Sequence, residues 1–526
     1  MREQICAVDV GTGSARAGIF DRNGRLLGRG EHPIAMNRAS PNHAEHDSED
    51  IWRAVCRAMQ AAMAKAGSRP AQIAGLSFDA TCSLVVRGEA GRQVGVSTAG
   101  GDNWDTIVWL DHRALAEADE CTATGHPVLD FIGGVMSPEM QTPKLMWLKR
   151  RMPDAWAAAR HFLDLADFLT WKATSSTERS QCTLTTKWTY LAHDDGWQRG
   201  FFNSVGINDA LDRGGLPAKA TPVGTSLGRL TETAAAELGL DTECTVGAGL
   251  IDAFAGTLGV IGAHAGDTLD RHLALIAGTS SCVMAFAEGA RMVPGIWGPY
   301  FGSALPGIWQ SEGGQSATGA LLDHVIRLHA KGGQPDAPTH ARIIARVLEL
   351  RAIEPDLAAT IHVLPDFHGN RSPYADPHAT GAISGLTLDA SFDGLCRLYW
   401  RTAVAIALGV RHILEHMNAH GYSIESLHVT GGHTRNPLLM ELYADATGVT
   451  VVESEAEDAV LLGTAMAGAA AAGLYPDVAA ACRGMHQAER RRTPNPAASR
   501  SFERDYRAFL AMHRHQRELA EITAER

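Results

Sequence analysis

The chain is predicted to be a two-domain α/β protein built from a duplicated unit. Three observations carry that reading. At 526 residues it exceeds what one ordinary core accommodates, so two large domains are expected. Residues 5–20 read as strand, Gly-Thr-x-Ser turn, strand, and the same layout returns at 272–286. One such turn is weak evidence, but two of them, each opening a half of similar size, indicate duplication. Polar clusters also stand just past two strand ends, at Asp79–Thr81 and Asp111–Arg113, where an open α/β sheet usually holds its ligand.

Taken in order, Ile5–Val10, Arg16–Phe20 and Arg25–Gly30 read as an antiparallel meander with turns at Gly11–Ala15 and Asp21–Gly24. Ser48 is expected to cap an amphipathic helix to about Ala66, with Glu49 and Asp50 in its first turn. Ile73–Phe78 and Ile107–Leu110 are strands. Helix signals cover Pro143–Arg151 and Asp154–Trp171, and the hydroxyl-rich loop Cys182–Trp188 carries an exposed-looking Lys187. Next, Thr245–Gly256 combines a β-branched run, a glycine turn and a small-residue helix, with Asp252 where turn becomes helix. Strands follow at His272–Ala277 and Cys282–Phe286 around the turn Gly278–Ser281. A helix is expected to start near Glu312–Gly319, with others over Ala341–Leu350 and Phe392–His420. Strand Ser426–Thr430 then leads into Gly431-Gly-His-Thr-Arg-Asn436. The uncharged run Ala459–Tyr475 is Ala/Gly-rich and too short to span a membrane, so it reads as a buried helix. The Arg-rich tail from Glu489 reads as a solvated face packed on the body.

Composition narrows the function. Apolar residues at 45% and charged residues at 20% describe a globular chain. The net charge, 47 − 59 = −12, argues against nucleic acid and anionic membrane as partners, while leaving room for a local anion pocket. Nine dispersed cysteines without CxxC or metal-ligand spacing read as reduced thiols of a cytoplasmic protein. Arg2 and Glu3 lead directly into a strand, which reads as no signal peptide.

The glycine turns suggest the chemistry. Turns after strands present backbone N–H groups to anions, and Thr and Ser hydroxyls add donors. Three lie at 11–14, 278–281 and 431–436. No GxxxxGK[ST] is present, and Gly247-Ala-Gly-Leu-Ile-Asp252 puts Asp where GxGxxG needs a small residue. Turns from two halves fit one nucleotide clamped between lobes.

These residues carry a resemblance. Asp9-Val-Gly-Thr-Gly-Ser-Ala-Arg16, Gly278-Thr-Ser280 and Gly431-Gly432 resemble the two phosphate motifs and the adenosine motif of the actin-like ATPase fold. Gly249-Leu-Ile-Asp-Ala-Phe-Ala-Gly256, Glu312-Gly-Gly-Gln-Ser-Ala-Thr-Gly319 and Asp366-Phe-His-Gly-Asn-Arg-Ser372 resemble the FGGY carbohydrate kinases, in their ribulokinase and ribitol-kinase branch. The resemblance implies two ribonuclease H-like domains with an interdomain cleft, 1–262 binding sugar and 263–526 binding nucleotide. It implies transfer from ATP, with Mg²⁺, to a five-carbon ketose or polyol, D-ribulose first, with ribitol or L-ribulose as alternatives. A homodimer is the family's common habit. Asp252 becomes the general base and Asp9 the residue facing Mg²⁺. Gly11, Thr12, Ser14 and Arg16 would hold the γ-phosphate side, Gly278 and Thr279 the β-phosphate side, and Gly314, Thr318, Gly432 and Asn436 the nucleoside. Ala80, Asp111, Lys187, Asp252 and Glu312 match the sugar pocket. Asp79-Ala-Thr81, where glycerol kinases carry an Arg-Glu pair, argues against glycerol.

Each assignment has a plainer competitor. Asp252 and Glu312 are also candidate helix caps, Asp111–Arg113 a local ion pair, Arg16 a cross-strand partner, and Lys187 a surface lysine. Trp104, Trp109 and Trp188 are core or sugar-stacking residues, with the core favoured for Trp109. A non-catalytic ATP- and sugar-binding sensor on the same fold is the competing function.

Overall fold

The computed structural model describes residues 2–266 and 268–524. Its first sheet is built on β1 (Gln4–Val10), β2 (Ser14–Phe20) and β3 (Leu26–Pro33), an antiparallel meander. Strand β4 (Ile73–Ala80) joins β1 in parallel, and β5 (Thr245–Gly247) joins β4 in parallel, giving the order β5-β4-β1-β2-β3. The second sheet repeats this. Here β6 (His272–Ala277), β7 (Ser281–Ala287) and β8 (Trp309–Gln315) form the meander, and β9 (Ser426–Thr430) and β10 (Thr450–Ser454) extend it in parallel on the far side of β6. The order β10-β9-β6-β7-β8 matches the first sheet strand for strand. This is the duplicated ribonuclease H-like topology expected from the paired Gly-Thr turns. Among the described residues no helix is long and apolar enough to cross a membrane.

Several local expectations are corrected. Asp47, not Ser48, caps the first helix, accepting from the N–H groups of Glu49 and Asp50; Ser48 is buried against Asp105. The segment Asp154–Trp171 is helix, strand, helix, because Ala159–Asp164 pairs with Leu84–Gly88, a tertiary contact that overrides local propensity. Cys182–Trp188 is not a loop. Gln181–Lys187 is a helix whose Thr185 and Thr186 hydroxyls bond back to the carbonyls of Gln181 and Cys182. Glu312 lies mid-strand in β8 rather than at a helix start, and the helix begins at Gly319.

The halves are joined by two helices that cross. The helix Asp252–Ile261 follows the first sheet but packs on the second, against β6 and β9; Ala459–Ala471 belongs to the second half but covers β1, β4 and β5 of the first. Ala459–Ala471 is apolar on nearly every side, as a helix buried all round must be. Small residues let the backbones touch. A methyl group on Gly463 would run into the Ala255 carbonyl, and one on Gly259 into the Ala459 carbonyl. One continuous apolar core passes from the first half through this crossing into the second.

Gly463→Ala is expected to lower stability by about 1–3 kcal/mol through overpacking, despite the better helix propensity of alanine. Gly289→Ala, where a methyl meets nothing within 4 Å, is expected to change it little. Denaturant unfolding of the two variants checks this.

Candidate active site

Strand pairing assembles the floor of the site. Antiparallel β1–β2 register sets Arg16 opposite Asp9, and parallel β1–β4 register sets Asp79 beside it. Arg16 Nη2 stands 2.5 Å from Asp9 Oδ2. Asp79 accepts a hydrogen bond from Thr464 Oγ1 on the Ala459 helix. Asp458, which caps that helix through the Leu461 N–H at 3.3 Å, lies 4.0 Å from Arg16 and 3.5 Å from Arg29. Arg16 is thus a cross-strand partner of Asp9, held at the cleft floor.

Asp9 Oδ1 and Asp79 Oδ1 are buried without a hydrogen-bond partner among the described residues, and Asp9 Oδ2 has only the Arg16 guanidinium beside it. Burial pushes Asp79 well above the carboxylate range and Asp9 up to about 7, with Arg16 pulling Asp9 back down. Orphaned buried carboxylate oxygens facing one another are the donor set a hard divalent cation takes, so these residues fit Mg²⁺.

Asp252 adjoins this floor. Leu250 and Ile251 pair in parallel with Asp79 and Ala80, so the chain delivers Asp252 one residue beyond Ala80. Ile251 occupies the cap position and Asp252 is the first helical residue. Its Oδ1 accepts from the Ala253 N–H at 2.7 Å. Burial raises its pKa, while that hydrogen bond and the charges of Arg16 and Lys187 oppose the rise. The cap-like bond and an available second oxygen, Oδ2, coexist.

Residues from both halves form the wall. Lys187 Nζ, from the first half, contacts Glu312 Oε2, from the second, at 2.9 Å, and both side chains are nearly fully buried. Burial would strip the Lys187 proton, but the facing Glu312 carboxylate more than reverses that and raises its pKa. The Trp297 ring receives Lys187 Nζ at 4.5 Å and Arg371 at 5.3 Å from its centroid. Arg371 in turn reaches Glu139 across the cleft at 3.0 Å. Asp111 is buried, and each of its oxygens already accepts two hydrogen bonds, Oδ1 from the Arg113 N–H and Nε and Oδ2 from Arg113 Nη2 and the Ala44 N–H. With Glu45 on the same guanidinium at 2.8 Å, it is part of a buried ion-pair network.

The turns have unequal freedom. The Gly11–Ser14 turn closes through Gly11 N–H to Ser14 O at 3.1 Å. Trp109 is half-buried, donates from Nε1 to Thr12 Oγ1 at 2.9 Å, and both packs against the core and lines the cleft. Ser14 Oγ donates to Glu31 at 2.9 Å, so its hydroxyl is already engaged. In the second half, Thr318 and Gly319 donate backbone N–H bonds to the carbonyls of Thr279 and Gly278 at 3.0 and 3.1 Å. His433 Nε2 lies 3.0 Å from the Gly278 carbonyl and its Nδ1 2.7 Å from Tyr443. Thr318 and His433 thus shape the turn while Thr279 is exposed. Asn436 caps the helix Pro437–Thr447 through the Leu438 N–H at 3.1 Å. Gly432 is exposed beside it. Gly314, in mid-β8, is three strand spacings, roughly 14 Å, from β9 and its Gly431–Gly432 turn. It abuts Ser281 and Arg371 and does not join Gly432 and Asn436. A cavity of about 400 Å³ lies between the halves, lined in part by Trp109, His112, Thr279, Ser280, His324 and Phe367.

Sequence reasoning left Asp79, Glu139, Trp297, Arg371 and His433 without roles. Arg371 and His433 had a signal, lying inside segments already singled out. Glu139 and Trp297 had none, since nothing local marks a residue whose partner is more than a hundred positions away.

The amino-terminal domain of the FGGY family of carbohydrate kinases matches residues 4–259, and its carboxy-terminal domain matches 273–472. A zebrafish (Danio rerio) FGGY carbohydrate kinase domain-containing protein is 42% identical, covering 98% of each chain. The D-ribulokinase of Saccharomyces cerevisiae is 35% identical over 88% of this chain and 71% of its own. Among solved structures, the xylulose kinase of Rhodospirillum rubrum superimposes with a TM-score of 0.79 at 22% identity, covering 98% and 99% of the two chains, a likeness of fold. A duplicated ribonuclease H-like fold and matches to both family domains lead to one conclusion: the chain belongs to the FGGY family of carbohydrate kinases, sugar phosphotransferases that use ATP.

Proposed function

We propose that this kinase phosphorylates D-ribulose to D-ribulose 5-phosphate in the cytoplasm, with residues 1–262 carrying the sugar and 263–526 the nucleotide. The observation that carries the chemistry is Asp252. It is a half-buried carboxylate at a helix start with one oxygen bound to the N–H of the next residue, next to Asp9 and Asp79, with Gly-Thr turns from both halves. The similarity to the yeast D-ribulokinase supports the acceptor.

In this reading Asp252 Oδ2 takes the proton of the attacking hydroxyl as that oxygen bonds to the γ-phosphorus and the bond to the departing ADP oxygen breaks. Arg16 and the backbone N–H groups of Thr12, Gly13 and Thr279 would face the phosphates, the Gly11 and Gly278 N–H groups being bonded within their own turns. Asp9 and Asp79 would hold Mg²⁺, which supplies charge neutralisation on the phosphate oxygens. Lys187 and Glu312 offer a donor and an acceptor to vicinal hydroxyls. Asp111 orders the wall through Arg113, and a sugar hydroxyl there would share oxygens already bonded. The buried, oppositely charged wall excludes water, which would otherwise divert the phosphoryl group.

In a coupled ADP-release assay over pentoses, pentuloses and pentitols, D-ribulose is expected to give the highest kcat/KM. Preference for ribitol or L-ribulose would replace the acceptor, and no sugar-stimulated turnover would favour a sensor. Asp252→Asn is expected to cost at least about 10² in kcat with ATP binding retained. Because burial raises the Asp252 pKa, the acid limb of kcat should fall above the ordinary carboxylate range.

The Asp9 carboxyl is raised in the fold, so without a cation its contribution to stability is fully present below the unfolded carboxylate pKa, about 4. It is lost as pH rises through about 7. Mg²⁺ needs the ionised form. Its thermal stabilisation of the protein is therefore expected to grow between about pH 6 and pH 8, and to lose that trend in Asp9→Asn.

Glu312→Ala strands a buried ammonium and is expected to cost about 3–5 kcal/mol. Lys187→Met combined with Glu312→Leu should recover most of that stability while leaving KM for the sugar raised. Recovery of KM as well would make the pair purely structural.

A further inference from the structure

Far from the phosphate turns, four histidines and a glutamate from separate elements converge at the entry edge of the second sheet. His264 lies in the segment joining the halves, just past the helix that starts at Asp252. That places it on the order of 15–20 Å from the base at 1.5 Å per helical residue. His272 opens β6, and His428 sits in the neighbouring β9, two residues beyond its register partner Ser426. His486 and Glu489 come from the segment leading into the edge strand Glu489–Arg492.

His264, His272 and His428 can each aim one ring nitrogen so that all three atoms lie within 4.8 Å of one another. His272 Nδ1 and His428 Nε2 are 3.0 Å apart, and the rings of His264 and His272 stack at 4.0 Å. In a tetrahedral zinc site, metal–nitrogen bonds of about 2.0–2.1 Å put ligand nitrogens about 3.3 Å apart, so this pair needs to shift by only a few tenths of an ångström. The other nitrogen of His428, Nδ1, is 3.6 Å from Glu489 Oε1, and a carboxylate behind a ligating imidazole fixes its tautomer and orientation. His264 Nε2 is buried without a hydrogen-bond partner among the described residues and is also 3.6 Å from Glu489 Oε1. His486 Nε2 stands at the same distance from that oxygen.

We propose that His264, His272 and His428 form a binding site for a divalent transition metal of the zinc type, with Glu489 orienting His428, that pins the segment between the two halves to the second sheet. Imidazoles select this class of ion over Mg²⁺, which prefers oxygen ligands. The site is independent of the phosphate-transfer reading and shares no residue with it. Burial lowers the pKa of His428 to about 3 and of His272 to about 4, leaving both neutral at physiological pH.

The test uses full-length protein without a polyhistidine tag, stripped with chelator and titrated with Co²⁺ as a spectroscopic probe. The expected result is one equivalent bound with tetrahedral ligand-field absorption, displaced by Zn²⁺, and an affinity at least tenfold weaker in both His264→Ala and His428→Gln. His264 lies in the joining segment and is part-exposed, so its variant keeps the test decisive if the His428 variant fails to fold. No uptake by the wild type, or affinity unchanged in His264→Ala, would overturn the site and leave a hydrogen-bonded histidine cluster, with His272 Nδ1 on Ser426 Oγ at 2.9 Å.

Discussion

The constraint on which the structure depends is the contact between two helices at Gly259 and Gly463. Each helix covers the sheet of the other half, so neither sheet has a complete core without the crossing. The closeness requires glycine on both sides, because each glycine meets a carbonyl of the opposite helix. The reacting groups hang from this contact. Asp252 begins one helix, while Asp458 and Thr464 belong to the other. Thr464 bonds Asp79 and Asp458 approaches Arg16. A change in crossing distance would therefore reach the carboxylates of both helices and strands together.

Those carboxylates are arranged against stability. Burying unpaired carboxylate oxygens is costly, and here Asp9 Oδ1 and Asp79 Oδ1 lack hydrogen bonds. Arg16 compensates Asp9 alone. In the fold without a cation, Asp79 has only a hydroxyl partner, so it is the member of the pair that keeps a proton, while Asp9 next to the guanidinium is the one that ionises. Such a pair titrates as a unit. In the proposed function that energy would become cation affinity, because a divalent ion would offset both charges at once. The wall follows the opposite rule. Lys187–Glu312 and Arg371–Glu139 are each complete pairs, and each spans the halves, so closing the cleft is what satisfies them.

Much of this was legible in sequence because the fold repeats. The Gly-Thr turns, the meanders and the strand Ser426–Thr430 carry local signals, and the buried helix at Ala459 announces itself by lacking any charge. What misled was tertiary. Glu312 looked like a helix start because Gly313 and Gly314 follow it, yet those glycines permit β8 to pack against Ile296, Ser281 and Arg371. Lys187 looked exposed because its hydroxylated neighbours suggested a loop; their hydroxyls are spent on helix carbonyls, and its partner lies 125 residues away. Ala159–Asp164 was hidden inside a helical pattern because only its pairing with Leu84–Gly88 makes it a strand. Family motifs pointed to Asp252, Asp9 and the turns, which the fold brings close together, but nothing in them marked Thr318 and Asn436 as residues whose hydrogen bonds hold a turn and a helix end in place.

Asp252 shows how these effects combine. A helix start alone would favour its charged form, and the Ala253 N–H does so. Burial acts against that and wins, leaving its pKa raised. For a base this is useful, since a raised pKa strengthens the driving force for taking a proton as long as the group is still ionised. The neighbours settle that condition. Arg16 and Lys187 pull the pKa down, while Glu312 pushes it up. In the proposed role of base, these two cations are what keep Asp252 available to take a proton.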